Sequence, residues 1–187
     1  MGRWEPNARD RLQRAALELY GSRGYEQTTV AEIAARAGLT ERTFFRHFAD
    51  KREVLFAGSS QLEELLVKAV ADAPAGLTPM GVIMNAFDTA GEYFPDVTYP
   101  RARNAVITAN PELMERELRK LARLASALAG ALGVRGVSEA DAIFAAEAGV
   151  LAFRVAFSRW VSDDSDKPLI SVLRRSFADL QNVVAGI

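Results

Sequence analysis

At 187 residues, 49% apolar and 25% charged, the chain has the composition of a folded protein able to bury a core without staples. It contains no cysteine and one histidine, which excludes a disulfide framework, a Cys/His or three-histidine zinc site and a cysteine nucleophile. The net charge of −1 hides a mild asymmetry: residues 1–53 carry 10 Lys/Arg against 8 Asp/Glu, the remainder 13 against 16, a weak pointer to an anionic partner for the first part.

Apolar residues recur at helical spacing along the whole chain, with no run of period-two alternation and no internal repeat, so the expected fold is all-α with about nine helices. Asn7 is placed to cap the first helix, with Asp10 at its third position. Leu12, Ala15, Ala16, Leu19 and Tyr20 form that helix's apolar stripe, and Gly24 ends it. Thr29 with Glu32 forms a capping box for a short second helix that stops at Gly38. Thr40 opens a third, running to about His47, with Phe44 and Phe48 four apart on its inner face. Asp50 with Glu53 predicts a long fourth helix through Val54, Leu55, Leu62, Leu65, Leu66 and Ala69. Ala73 to Pro79 reads as a loop, and Thr78-Pro79 starts the fifth helix.

Beyond it, Pro95 and Pro100 predict a break and Arg101 to Ala109 a short sixth helix. Asn110-Pro111 opens a seventh with Met114, Leu118, Leu121, Ala125, Leu128 and Leu132 on its inner stripe, closed by Gly133 and Gly136. Ser138 with Asp141 caps an eighth to about Val161. A polar turn over Ser162 to Asp166 leads to a ninth near Pro168. No segment of about 18 uncharged apolar residues is present. Met1 to Pro6 lacks the apolar core of a signal peptide, and Asn7 lies one place past where the Ser/Thr of a Gly2 myristoylation motif is wanted. A cytoplasmic protein is expected.

Residues 29 to 48 have the spacing of a helix-turn-helix, whose second helix can enter the DNA major groove. On that helix Glu41, Arg42, Phe45 and Arg46 point away from Phe44 and Phe48. They offer arginine for guanine edges and a carboxylate for cytosine, and Thr29 and Thr40 set their helices' first backbone N–H groups toward a phosphate. The alternative is two short helices of an ordinary bundle. Phe45 argues against it, because a large apolar group on the solvent side usually meets something.

The run Thr28-Thr29-Val30-Ala31-Glu32-Ile33-Ala34-Ala35-Arg36-Ala37-Gly38-Leu39-Thr40-Glu41-Arg42-Thr43-Phe44-Phe45-Arg46-His47-Phe48, continued by Ala49-Asp50-Lys51-Arg52-Glu53-Val54-Leu55, closely resembles the DNA-binding domain of the TetR (tetracycline-repressor) family of transcriptional regulators. It covers about the first 58 residues; the rest resembles the family only in helix pattern and length. The opening Arg3-Trp4-Glu5-Pro6 looks like an actinobacterial-type branch. The resemblance implies a helix-turn-helix domain over residues 1–53 and a helical regulatory domain over 54–187. It also implies a homodimer on double-stranded, inverted-repeat DNA. No cofactor or metal is expected, and with no cysteine, a single histidine on the recognition helix and no paired-carboxylate motif no catalysis is expected either. The DNA contacts implied by the resemblance are Thr28, Thr29, Thr40, Glu41, Arg42, Thr43, Phe45, Arg46, His47 and Lys51, with Arg42 and Arg46 as base readers and His47 and Lys51 on phosphates. The family usually has tyrosine where this chain has Phe45, so one hydroxyl-to-phosphate contact is missing.

The resemblance further implies a small-molecule pocket among helices five to seven with parts of the fourth and eighth. Candidates are Met84, Phe87, Asp88, Gly91, Met114, Leu118, Glu147, Leu151 and Arg154. Met and Phe at helical spacing also fit plain core, and helix-interior glycine, which costs about 1 kcal/mol against alanine, leaves room for a ligand or for close packing. Glu147 and Arg154 lie seven apart, too far to pair with each other. Each either meets Asp88, a ligand or a second subunit, or lies on the solvent side. Phe157, Trp160, Val161, Leu169, Leu173, Phe177 and Leu180 give the last two helices apolar sides that fit a dimer interface. The expected function is a repressor released by a small ligand, or an activator or repressor without one.

Overall fold

The computed structural model describes residues 7–163 and 167–186. Arg3 to Pro6 and the Asp164 to Asp166 part of the expected turn lie outside them. The described residues are helical, with no strand: α1 (Ala8–Arg23), α2 (Val30–Arg36), α3 (Glu41–His47), a 3-10 turn (Glu53–Phe56), α4 (Ser59–Asp72), α5 (Pro79–Tyr93), α6 (Thr98–Thr108), α7 (Pro111–Val134), α8 (Glu139–Ser162) and α9 (Leu169–Ala185). No helix among them is long and apolar enough to cross a membrane.

Local chemistry sets most of these boundaries. Asn7 Oδ1 accepts from Asp10 N–H at 3.0 Å, and Thr29 with Glu32 closes a complete capping box. Thr40, Thr78 and Ser138 each accept from the amide three residues on. Three expectations need correction. The fourth helix is not continuous from Glu53: Asp50 does cap, accepting from the amides of Arg52 and Glu53 at 2.8 and 3.0 Å, but it caps a 3-10 turn. Val54, Leu55 and Phe56 in that turn are buried with the residues before them, and α4 begins only beyond Gly58, a poor helix former. Helix α6 starts at Thr98, ahead of Pro100, because a proline in the first turn removes an N–H that has no intrahelical partner anyway; Asp96 Oδ1 accepts from Thr98 N–H at 2.8 Å. Gly133 does not end α7, which runs to Val134.

Two compact units result. The first comprises the chain up to Gly58 together with Ala102–Met114, and the second Ser59–Arg101 with the chain from Glu115 on. The packing boundary thus falls at Gly58, and residues 102–114 join the first unit although they lie far along the chain.

In the first unit Leu12, Ala16, Ile33, Phe44, Val54 and Leu113 are fully or almost fully buried. Arg9 donates to Ala57 O at 2.8 Å and Arg103 to Leu55 O at 2.6 Å, so two arginines tie down the C-terminal end of the segment between α3 and α4. Tyr25 is buried against Tyr20, edge to face at 5.3 Å. Burial, the largest cause, pushes its hydroxyl up to about 12. The folded state therefore resists phenolate formation, and stability present below the unfolded value of about 10 is lost as pH rises toward 12. Unfolding titrations should show a fall in stability across that window that is reduced in Tyr25→Phe.

In the second unit α5 is the central element, packed on α4, α8 and α9. Phe87 is completely buried, stacked on Phe153 at 5.3 Å and tilted against Phe177 at 6.0 Å. The small residues Ala142, Ala145, Ala146, Gly149, Ala152 and Ala156 form the buried stripe of α8 and let α5 approach closely. A Cβ on Gly149 would lie 2.3 Å from Ile83 Cγ2, and one on Gly91 would lie 2.7 Å from Ile170 Cβ.

Candidate nucleic-acid interface

The helix-turn-helix is assembled from local caps and one long-range pin. Gly38, between α2 and α3, has φ +65°, a left-handed conformation open to glycine at little cost. The Arg11 guanidinium donates to the carbonyls of Ala37 and Gly38, and a Cβ on Gly38 would lie 2.8 Å from its Nη2. Backbone sign therefore makes this turn a glycine position, with the end of the arginine packed close over it. Nothing in the local pattern of α2 and α3 marks Arg11, because the contact spans 26 residues.

Phe44 and Phe48 face inward as the four-residue spacing predicts, with ring centroids 5.6 Å apart. Their burial fixes the rotation of α3 and turns Glu41, Arg42, Phe45 and Arg46 outward, all exposed. Phe45 remains 55% exposed, edge-on to Phe44 at 5.5 Å. Neither Arg42 nor Arg46 has an ion-pair or hydrogen-bond partner among the described residues. Arg36 differs: it pairs with Glu18, which holds the Glu18 carboxyl below its ordinary value through the hydrogen bond. Two guanidiniums beside an exposed ring, free to meet acceptors and an apolar edge, are what α3 presents.

The remaining candidates divide. Thr40 and Thr43 are at the start of α3, and their hydroxyls lie 3.1 Å apart. Thr29 is exposed, but its hydroxyl donates to Glu32 Oε2 at 2.9 Å and its amide to the same oxygen at 2.8 Å. These bonds hold the Glu32 carboxyl below its ordinary value and put a carboxylate where a phosphate would approach α2. Thr28 is buried, donating to Gly24 O at 2.8 Å. His47 is half-buried, and its Nε2 is buried without a partner among the described residues; a phosphate contact would have to use Nδ1.

Lys51 is turned inward. Its ammonium donates to the carbonyls of Tyr25, Glu26 and Thr28 at 2.9, 3.2 and 3.0 Å and lies 4.4 Å from the centre of the Tyr25 ring. This is a clamp on the turn between α1 and α2, and sequence reasoning missed it because the partners are backbone atoms 23 to 26 residues away. Lys51→Met keeps the stem and leaves three carbonyls without their cation. It should cost about 1.5–3 kcal/mol in thermal or urea unfolding. A phosphate-contact role would instead lower the salt slope of DNA binding by about 1 and leave stability unchanged.

The candidate effector residues do not converge. Phe87 lies in closed core, Gly91 is taken up by its contact with Ile170, and Asp88 is paired with Arg174 through two hydrogen bonds of 3.1 Å. Met84 packs against the second unit's core, whereas Met114 packs against the first unit's, beside fully buried Leu113. Leu118, Glu147, Leu151 and Arg154 are exposed. An open, largely apolar groove of about 740 Å³ occurs elsewhere, between the starts of α5 and α8 and the end of α9, lined by Met80, Phe144, Ala148, Phe177, Leu180 and Val184 among others. No cluster of three metal-ligating side chains forms among the described residues.

The dimer candidates are corrected by their burial. Trp160, Val161, Leu169, Leu173 and Phe177 are buried within the chain's own core, and Phe157 and Leu180 pack against it. Trp160 Nε1 donates to Lys167 O at 3.0 Å. The apolar side chains that α8 and α9 leave open are Ile143, Phe144, Leu151, Val155, Val183 and Val184. For three of them the signal was present in the sequence, since Phe144, Leu151 and Val155, with Ala148 between, follow a 4-3-4 spacing.

Comparison with known proteins agrees with this geometry. Residues 12–57 match the family described as bacterial regulatory proteins, tetR family. The HTH-type transcriptional regulator TcmR of Streptomyces glaucescens is 33% identical over 183 residues, covering 91% of this chain and 81% of that protein. In fold, the chain is similar to Thermus thermophilus FadR, a TetR-family repressor solved with lauroyl-CoA (23% identity, TM-score 0.54, 93% of each chain). It is also similar to Bacillus subtilis FadR solved with stearoyl-CoA (20% identity, TM-score 0.59, 95% of this chain and 98% of that one).

Proposed function

The chain belongs to the TetR family of DNA-binding transcriptional regulators, a family of non-enzymes, and from that premise we propose that it is a homodimeric repressor released from an inverted-repeat operator by a small-molecule ligand. The observation that carries this reading is the outward face of α3, where Arg42, Phe45 and Arg46 are exposed and the two arginines are unpaired among the described residues. Arg42 and Arg46 read guanine edges, Glu41 discriminates by accepting from cytosine or repelling other bases, and Phe45 packs on a thymine methyl or sugar. Thr40 and Thr43 meet the backbone at the helix start. Two such helices, about one DNA turn apart in a symmetric dimer, read the two half-sites, in the cytoplasm where the DNA is.

The dimer is supported by the apolar residues that α8 and α9 expose, and ligand release by two relatives of the same fold that hold acyl-CoA thioesters. A ligand bound better by a DNA-incompetent conformation shifts the population away from DNA, by no more than its differential affinity for the two states. Regulation without a small ligand draws its support from the dispersal of the nine candidate effector residues.

The experiment is selection of bound sequences from a random DNA pool by the purified protein at a fixed, moderate salt concentration. Enrichment of an inverted repeat is the expected result, and enrichment of a single half-site or of nothing would overturn the dimeric reading. Lauroyl-CoA titrated onto the selected complex then separates the two modes of regulation: release supports the ligand-controlled one, and an intact complex withdraws this acyl-CoA as effector.

A further inference from the structure

Helix α3 is held differently at its two ends. Backbone bonds join the turn before it to α2, from Gly38 N–H to Ala35 O at 3.0 Å and from Leu39 N–H to Ala34 O at 2.8 Å. The half-buried Arg11 ties the same turn to α1, its Nη2 donating to both Ala37 O and Gly38 O, one amino group with two hydrogens for two acceptors. No carboxylate pairs with Arg11 among the described residues, so its guanidinium serves the turn. Farther along α3, Phe44 and Phe48 are buried. A second arginine of α1 secures that end: Arg9 lies 5.8 Å from the centre of the Phe48 ring and donates to Ala57 O at 2.8 Å.

We propose, resting on the DNA-binding reading of α3 given above, that Arg11 is a positioning residue for DNA recognition: it fixes the direction of α3 so that Arg42 meets its base. Gly38 is exposed, so water takes over its carbonyl when the guanidinium is removed, and the fold survives. Water does not tie the turn to α1. Helix α3 is then held by Phe44 and Phe48. Arg46 lies midway between them along the helix, whereas Arg42 lies four residues earlier, about 6 Å away at about 1.5 Å per residue. A tilt of about 10° around that midpoint moves Arg42 by about 1 Å and leaves Arg46 in place, against a tolerance of about 0.5 Å for a recognition contact. Arg11 thus governs the base contact at the start of α3 and leaves the later one to Phe48 and Arg9. It acts on discrimination without a DNA contact of its own.

Selection from a random DNA pool with the full-length wild type, Arg42→Ala, Arg46→Ala and Arg11→Met tests this, with circular dichroism confirming that each variant folds. The two alanine variants first assign half-site positions to the two arginines. Arg11→Met should then flatten base preference at the Arg42 positions, keep it at the Arg46 positions and weaken operator binding about tenfold, as for the loss of one base reader. The salt slope should stay at the wild-type value, since no phosphate contact is lost. Arg11→Lys, whose ammonium keeps several donors, should recover the lost preference. Wild-type preference and affinity in folded Arg11→Met would overturn the role and leave Arg11 a strut of the fold. Equal loss on operator and scrambled duplexes, with a salt slope lower by about 1, would overturn it in favour of a phosphate contact. If Arg11→Met does not fold, Arg11→Gln carries the same comparison, and failure of both to fold overturns the role. No enrichment by the wild-type protein would overturn the DNA-binding reading and this role together.

Discussion

Arg42→Ala and Arg46→Ala should each weaken binding to the selected operator by about 1–3 kcal/mol, roughly 5- to 150-fold, and together should remove most of the discrimination between operator and random DNA. The expectation follows from what the two side chains do in the free protein, which is nothing measurable for the fold. Both are exposed on α3 and neither has an ion-pair or hydrogen-bond partner among the described residues, so unfolding free energy should change by no more than about 0.5 kcal/mol. Fluorescence anisotropy with operator and scrambled duplexes, repeated at two salt concentrations, reads the effect. Loss on the operator alone identifies base readers. Equal loss on both duplexes with a smaller salt slope reassigns the arginines to phosphates, and unchanged affinity on both removes α3 from the interface.

Phe87→Ala should destabilise the protein by about 3–5 kcal/mol. Phe87 has no solvent exposure and touches the rings of Phe153 and Phe177, so truncation opens a cavity where α5, α8 and α9 meet. That junction has little slack to close it, because Gly149 already brings α8 against Ile83. Urea or thermal unfolding checks the value. A Phe87 lining an open effector site would behave differently: truncation would cost little stability and change the affinity for effector. The same measurement therefore decides whether the spacing of Met84, Phe87 and Gly91 reports a binding cavity or a packed helix junction.

The parts of this protein legible in its sequence are those whose partners lie within one helical turn. Asn7, Thr29, Thr40, Thr78 and Ser138 each cap an amide three residues away, and the pairing of Phe44 with Phe48 fixes which side of α3 faces out. Helix order and the exposed Arg42/Phe45/Arg46 face follow from such local rules, and a long motif ties that face to a family of DNA-binding regulators. Tertiary structure alone decided which of two apolar stripes on α8 is inside. Phe153, Phe157, Trp160 and Val161 pack inward with the small-residue stripe, while Phe144, Leu151 and Val155 stay out. Periodicity shows only that apolar residues share a face. Which face is buried depends on the neighbour that can approach it, and here α5 approaches the alanine–glycine side because the missing side chain at Gly149 leaves room for Ile83. Lys51, Arg11 and Leu113 were hidden for the same reason: the carbonyls and core they serve are brought near only by folding, from 23 or more residues away.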